Sequence, residues 1–401
     1  MHGASKNLTG RIADLVVRYP WGGWAGWIIF CIIALARVHP RRFASTFTYY
    51  MEATERLLAH AQVYDPDKLG EFLYLPVSLL VYAPFVAINR SVAAGFWLVV
   101  FAVVFTWGCY ALVTRLLPQG IGPLRPAWIV GLVLLINVPA AWFNFKGVQS
   151  QIIMTGGMLL AAAAIMHAQW GWASFWLFVA FLFKPLALVM ALLCGALCPR
   201  MRLPLLAAAI VVVTLPFAFF DAGYMAAQYR DLGVKLWEIA TVPAQDWPYR
   251  ADISTLLAAF GITLPGGVSL ALRIAAALGT LYLAWRVRGT GSSRSFGLAL
   301  LVLSACYINL FSPRNEFLSF LVVTPSLAVL ALLVFARDQG DWRGWALIAA
   351  ALVLGMWWNL GFDAVVKPAI VLVIYAWLAW LMARPERWRA LTDISGPVAD
   401  P

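Results

Sequence analysis

The chain has 401 residues, 63% of them hydrophobic and 12% charged, with a formal net charge of +11. Soluble domains carry about 45–50% apolar and about 25% charged residues, and no long polar block stands outside the apolar runs here, so the composition excludes a soluble globular domain. The basic excess lies in short loops, which is the pattern of membrane topology rather than of nucleic-acid binding, and no nucleic-acid partner is expected.

The apolar runs are long enough to cross a hydrocarbon core, roughly 17–25 residues each. They predict an all-α polytopic membrane protein, a single integral membrane domain over 1–401 with about twelve transmembrane helices. In chain order the spans are 21–37, 72–89, 92–114, 127–143, 150–168, 172–197, 203–220, 266–285, 295–311, 316–335, 342–360 and 367–383. The first could pass for a signal peptide, with Ala34–Ala36 as a cleavage signal. Arg37 would be a poor mature start, however, and the run is rich in bulky tryptophan, so an uncleaved span is expected. Trp21, Trp24, Trp27, Trp342 and Trp345 suit interfacial aromatic belts. Pro76 and Pro84 in the second span and Pro185 in the sixth predict kinks or broken helices.

Charge counting orients the spans. With both termini cytoplasmic, the inward segments hold fifteen basic and six acidic residues, Arg90 and Lys146 among the basic ones, and the outward loops hold twelve of each sign. Two outward loops are long, 38–71 and 221–265, and both contain stretches that read as amphipathic helices on the membrane surface. In the first, Tyr50, Ala53, Leu57, Leu58 and Ala61 recur at helical spacing, with Glu52, Glu55 and Arg56 turned elsewhere. The second carries "AGYMAAQYRDLGVKLWEIA" over 222–240.

All five cysteines (Cys31, Cys109, Cys194, Cys198 and Cys306) lie in apolar runs and read as small buried hydrophobes. Cys194 and Cys198 share a helix face but lack two further zinc ligands. The four histidines are scattered. No metal and no cofactor are expected.

Acidic groups gather outside, above the bundle. A membrane enzyme acting on a lipid-phosphate sugar needs a base for the acceptor hydroxyl, cations for the departing phosphate and an apolar groove for the lipid tail. Glu52 is the candidate base, with Glu55 as its alternative; the competing reading of Glu52 is an i, i+4 pair with Arg56. Asp65 and Asp67 form an Asp-x-Asp, but Pro66 between them suits a turn. Lys184, before Pro185 and deep in a span, could bind donor phosphate or satisfy carbonyls freed by the proline. Arg273 could bind phosphate or snorkel to the surface. In "FSPRNEF" (311–317), Arg314 offers a phosphate ligand and Glu316 a partner for a sugar hydroxyl or a salt bridge. "FNFKGVQSQ" (143–151) is a polar hinge expected on the cytoplasmic side, where a functional role is less expected.

Together, "VYDPDKLGEFLYLP" (63–76), "GVQSQ" (147–151), Lys184-Pro185 and Ser312-Pro313-Arg314-Asn315-Glu316 followed by Pro325 resemble, in this order, the bacterial polyprenol-phosphate-mannose-dependent mannosyltransferases of glycosyltransferase family 87, a branch of the GT-C class. The resemblance implies a GT-C-like bundle in a bacterial inner membrane, with its active site facing the exterior. It implies inverting transfer of a sugar, typically mannose, from a polyprenyl-phosphate donor to a lipid or glycan acceptor, without a nucleotide sugar and usually without a metal. Donor phosphate would meet Lys184, Arg273 and Arg314, and substrate would meet Tyr49, Tyr64, Asp65, Tyr74 and Glu316. The family commonly places an aspartate just after the first span. Ser45, Thr46 and Phe47 stand there in this chain, and the first acid, Glu52, comes one to two turns later. The rival readings are a transporter or flippase of a lipid-linked sugar and a non-catalytic relative that binds lipid.

Overall fold

The computed structural model of the chain describes residues 16–38, 45–64, 72–241, 249–313, 315–338 and 340–393. Its elements are helices. Among the described residues the β-pairings outside helices are two isolated bridges, Ile121 with Leu124 and Arg250 with Glu316. Seven helices are long and apolar enough to cross a membrane: Arg90–Leu116, Pro126–Gly147, Pro199–Ala218, Gly266–Arg288, Ser293–Phe311, Phe317–Arg337 and Gly361–Met382.

The direction of each helix can be read from its neighbours. α1 (Gly22–Ala36) and α5 (Pro126–Gly147) run parallel, because Gly23 meets Gly131, Gly26 meets Leu135 and Phe30 meets Phe145. α4 (Arg90–Leu116) runs against α1, with Trp27 on Phe105 and Gly95 against Leu35. α6 (Gln151–Ile165) follows α4 in parallel: Gly156 packs on Phe105 and Leu159 on Gly108. These crossings are close because small residues let two backbones touch, the usual device where lipid removes the hydrophobic drive between helices. A methyl group on Gly23 would come within 2.4 Å of the Gly131 carbonyl carbon, and one on Gly108 within 2.7 Å of the Gly156 oxygen.

Parallel α1 and α5 with an opposed α4 leave room for one fewer crossing than the sequence implied. The difference lies in the expected span 72–89, which does not cross. Only Pro76–Tyr82 is α-helical (α3), followed by a 3₁₀ turn, Ala83–Phe85. Both ends of this excursion are held by α2 (Ser45–Leu58): Tyr74 meets Tyr50, and Arg90 meets Glu52 and Glu55. Two turns of α2 cover about 11 Å, whereas a crossing needs about 30 Å.

The expected span 172–197 is likewise two antiparallel pieces. α7 (Trp170–Phe183) rises against α4, with Trp176 on Trp107 and Phe183 on Phe101 and Trp97. The chain extends at Lys184, turns through a 3₁₀ segment at Pro185–Ala187, and α8 (Leu188–Leu197) returns to the level of Trp170. The two departures cancel. Helices α9 (Pro199–Thr214), α12 (Gly266–Arg288), α13 (Ser293–Phe311), α14 (Thr324–Arg337), α15 (Trp342–Gly355) and α16 (Leu360–Met382) keep their expected alternation. Among the described residues ten helices therefore pass from face to face, and α3 and the α7–α8 hairpin are excursions that start and finish on one face.

α6 is buried along its whole length and α13 nearly so, and these two with α14 form the centre. The perimeter exposes apolar residues such as Ile32, Val103, Leu203, Leu278 and Val373, the inverse of a soluble surface. Trp21 and Trp342 are exposed, as belt residues would be, but Trp27 is a core residue whose indole donates to Thr106 Oγ1 at 2.9 Å. α10 (Ala222–Thr241) and α11 (Ile253–Ala259) lie on the α2 face, and α17 (Pro385–Thr392) lies on the opposite one. α10 joins the 59–64 segment through Tyr224 Oη to the Ala61 carbonyl (2.7 Å) and through Val63 N to Gln228 Oε1 (3.0 Å).

Candidate functional site

The site grows from α2. Phe47, Tyr50, Met51, Ala53 and Leu57 point into the bundle, as the helical spacing predicts. The stripe stops at Leu58, which is exposed, because His60 adopts φ +55 and Ala61 N turns back to the Arg56 carbonyl. On the outer face both Glu55 oxygens accept from Arg90 Nη2, at 2.9 and 3.0 Å, and Glu52 Oε1 lies 3.7 Å from Arg90 Nη1. Glu52 lines a small cleft with Tyr49, Arg56 and Phe72.

Beneath the carboxylates sits a hydroxyl triangle. Tyr50 Oη is 3.2 Å from Tyr74 Oη and 3.1 Å from Ser150 Oγ, and Ser150 Oγ is 3.4 Å from Tyr74 Oη. The Tyr50 ring stacks on Tyr82 at 5.4 Å. Burial pushes the Tyr50 and Tyr64 phenols well above their ordinary range, so both remain protonated. Tyr64 is buried and donates to the Tyr74 carbonyl at 2.6 Å, which holds the 72–75 segment in place. Tyr49 is exposed and Tyr74 half-buried.

Ser150 belongs to the hinge that the charge count had placed on the cytoplasmic side. The structure puts it on the α2 face. Val148 closes α5 at φ +47, a left-handed conformation that a β-branched residue adopts only under constraint. The turn aims Ser150 at Tyr50 and Gln151 at the Ser319 carbonyl (3.4 Å), while Asn144 donates to the Leu318 carbonyl (3.0 Å).

That route leads to "SPRNE". Asn315 pairs with Ala251 in both directions, Ala251 N to Asn315 O at 2.8 Å and Asn315 Nδ2 to Ala251 O at 2.6 Å, and Glu316 bridges to Arg250. Next to it a buried ion pair joins Arg250 Nε and Asp252 Oδ2 at 2.7 Å. Asp252 Oδ1 also accepts from Ser254 N and Thr255 N, and the Thr255 hydroxyl oxygen accepts from Asp252 N, a capping box that starts α11. Burial raises the Asp252 carboxyl against the opposing pull of Arg250, Thr255 and Arg273. Arg273 thus belongs with Asp252 and Tyr307, whose hydroxyl donates to the Arg273 carbonyl at 3.2 Å. A second buried pair, Asp363 Oδ1 and Lys367 Nζ at 3.2 Å, opens α16, and Lys367 lies 5.8 and 5.6 Å from the rings of Phe317 and Phe320.

Lys184 stands at the tip of the α7–α8 hairpin, where α3 comes down to meet it: Ser78 Oγ donates to the Leu182 carbonyl, and Tyr82 packs on Phe183. Asp65 and Arg314 lie outside the described residues. The expected site residues therefore fall in three places on the α2 half of the molecule: Glu52 and Glu55 with Tyr49 and Tyr74, Lys184 below them, and Arg273 with Glu316 beside the Arg250–Asp252 pair. Sequence reasoning passed over Arg90, Arg250, Asp252, Asp363 and Lys367, and it discounted the hinge that carries Ser150. Two of these groups carry a readable signal. Asp363 and Lys367 are opposite charges four apart in an apolar run, and Asp252 with Thr255 has the spacing of a helix start. Among the described residues no three His, Cys, Asp or Glu side chains converge on a metal position.

No family model matches the chain, and no curated protein does. Two chains of solved structures match. One is the oligosaccharyltransferase of Archaeoglobus fulgidus in its apo form, 13% identical with a TM-score of 0.41, the match covering 94% of this chain and 57% of that one.

Proposed function

We propose that the chain is a GT-C-type membrane glycosyltransferase that moves a hexosyl unit, mannosyl by the family resemblance, from a polyprenyl-phosphate donor to a lipid or glycan acceptor on the α2 face. What supports the reading is a single convergence. Three stretches far apart in sequence, the "LYLP" tyrosine Tyr74, the hinge residues Ser150 and Gln151, and Asn315–Glu316, are joined by a relay of polar contacts that starts at Tyr50 of α2: Tyr50 and Tyr74 to Ser150, Gln151 to the Ser319 carbonyl, and Ser319 N to the Glu316 carbonyl. One of them was expected on the other side of the membrane.

In this reading Glu52 is the base. Arg90 takes both oxygens of Glu55, whereas it stands 3.7 Å from Glu52, which leaves Glu52 able to accept from an acceptor hydroxyl. Lys184, at the junction of the two excursions, supplies positive charge for the departing phosphate. The membrane is a bacterial plasma membrane with both termini cytoplasmic.

The test uses purified full-length protein with polyprenyl-phosphate mannose and membrane-lipid acceptors. Glu52→Gln abolishes transfer with the protein still folded, and Glu55→Gln retains it. Full activity in Glu52→Gln removes Glu52 as base. Transfer only from nucleotide sugars sinks the mechanism.

A further inference from the structure

On the face opposite α2, the ends of α8 and α12 and the starts of α7, α9 and α13 enclose an open cavity of about 380 Å³. Trp170, Leu197 and Phe296 form its apolar wall, and Arg200, Arg288 and Ser293 its polar one. Arg288 also lines a neighbouring cavity of about 590 Å³ with Trp285 and Arg286.

The arginines here divide by occupation. Arg202 is committed to the Gly195 and Ala196 carbonyls at 3.0 and 3.2 Å, where it closes the end of α8. Arg286 is committed to the Ala383 carbonyl at 3.0 Å and to Tyr282 Oη at 3.2 Å. Arg200 and Arg288 are exposed and face the cavity. Asp393, which accepts from Ser292 Oγ at 3.1 Å, is already paired with Arg389 at 3.3 Å. From the cavity toward the middle of the bundle, α8, α9 and α12 present exposed Leu192, Leu203, Leu206 and Leu278. Two cations at the ends of helices that expose leucines, with Trp170 and Trp285 beside them, match a charged head on a hydrocarbon tail.

The geometry points to a binding site for a lipid phosphate, with the anionic headgroup between Arg200 and Arg288 and the acyl chains along the exposed leucines of α8, α9 and α12. This site is separate from the polar relay that starts at α2 and does not depend on the reaction assigned there. A guanidinium–phosphate contact is charge-assisted and often bidentate, so losing two of them weakens binding about tenfold or more.

The experiment places the full-length protein in phosphatidylcholine nanodiscs and titrates phosphatidylglycerol, reading bound lipid by native mass spectrometry and unfolding by temperature. Wild-type protein retains phosphatidylglycerol over phosphatidylcholine and unfolds at a higher temperature with it. The Arg200→Gln/Arg288→Gln variant, folded in phosphatidylcholine, loses both effects, and Arg343→Gln, an arginine of the same face outside the cavity, keeps them. Equal retention by the double variant overturns the site, as does equal retention of the two lipids by wild type. Soluble glycerol phosphate that binds as tightly as the lipid overturns the lipid source and leaves a site for a free phosphate.

Discussion

Arg90 Nη2 lies 2.9 and 3.0 Å from the two carboxylate oxygens of Glu55. The pair joins the first residue of α4 to α2 and so marks the 72–89 segment as an excursion that starts and finishes on one face. It makes a prediction about sidedness. Cysteines introduced at Tyr49 and Ile88, both exposed, react with a membrane-impermeant maleimide from one side, and a cysteine at exposed Gln119 reacts from the other. If 72–89 crossed, Ile88 and Gln119 would sit on the sides opposite to these. Labelling of Ile88 from the side opposite Tyr49 refutes the excursion.

Among the described residues, hydropathy located each helix that passes from face to face, because length and apolarity are local properties. It could not see direction. The 72–89 run is long enough to span, but its two prolines limit the α-helix to Pro76–Tyr82, and its ends are tied by contacts with α2 that no local rule contains. Charge counting did not help: the corrected path moves Arg90 and Lys146 outward and Arg115 and Arg125 inward, and the total is unchanged. Lys184-Pro185 did carry a visible break, yet a break reads equally as a kink or a reversal. The carboxylates on α2 were legible from their spacing. Asp252 was legible only as a helix start; its burial with Arg250 was not, because that depends on strand-like pairing with Asn315, more than sixty residues away.

The Arg90 pairing should contribute little to stability. Its members are about 40% exposed, 39% for Arg90 and 40% for Glu55, and half-exposed pairs contribute about 0–1 kcal/mol. Glu55→Gln therefore leaves thermal unfolding in detergent almost unchanged. Arg90→Gln, which frees both glutamates, also leaves the fold intact. A large loss of stability in either variant would show that the pair holds the excursion rather than decorating it.

The crossing of α4 and α6 tolerates no added side chain. A methyl on Gly156 would come 2.8 Å from the Val104 oxygen and 2.9 Å from Phe105 Cα, both backbone atoms that cannot step aside. Gly156→Val should cost about 1–3 kcal/mol or more, the usual range for overpacking, and lower the yield of folded protein. Gly171→Val, where the added carbon meets nothing within 4 Å, is the control. Equal behaviour of the two variants in a detergent unfolding assay would contradict the close crossing.

Asp363 and Lys367 test whether buried charge stabilises the α2 face or only tolerates it. Their side chains are 2% and 1% exposed, 3.2 Å apart. Removing one partner leaves the other buried and uncompensated, which typically costs about 3–5 kcal/mol, while replacing both with apolar groups is often neutral or stabilising. The cation also faces a cavity of about 10 Å³ beside Phe317 and Trp357, room for about one water, so the single-variant cost should fall near the lower end of that range. Asp363→Ala and Lys367→Met each lower the unfolding midpoint, and the double variant recovers most of the loss. Additive losses in the double variant would mean that the two charges act independently, with Lys367 stabilised by the Phe317 and Phe320 rings rather than by Asp363. A double variant that unfolds like wild type but loses glycosyl transfer would assign the pair to the site rather than to the fold.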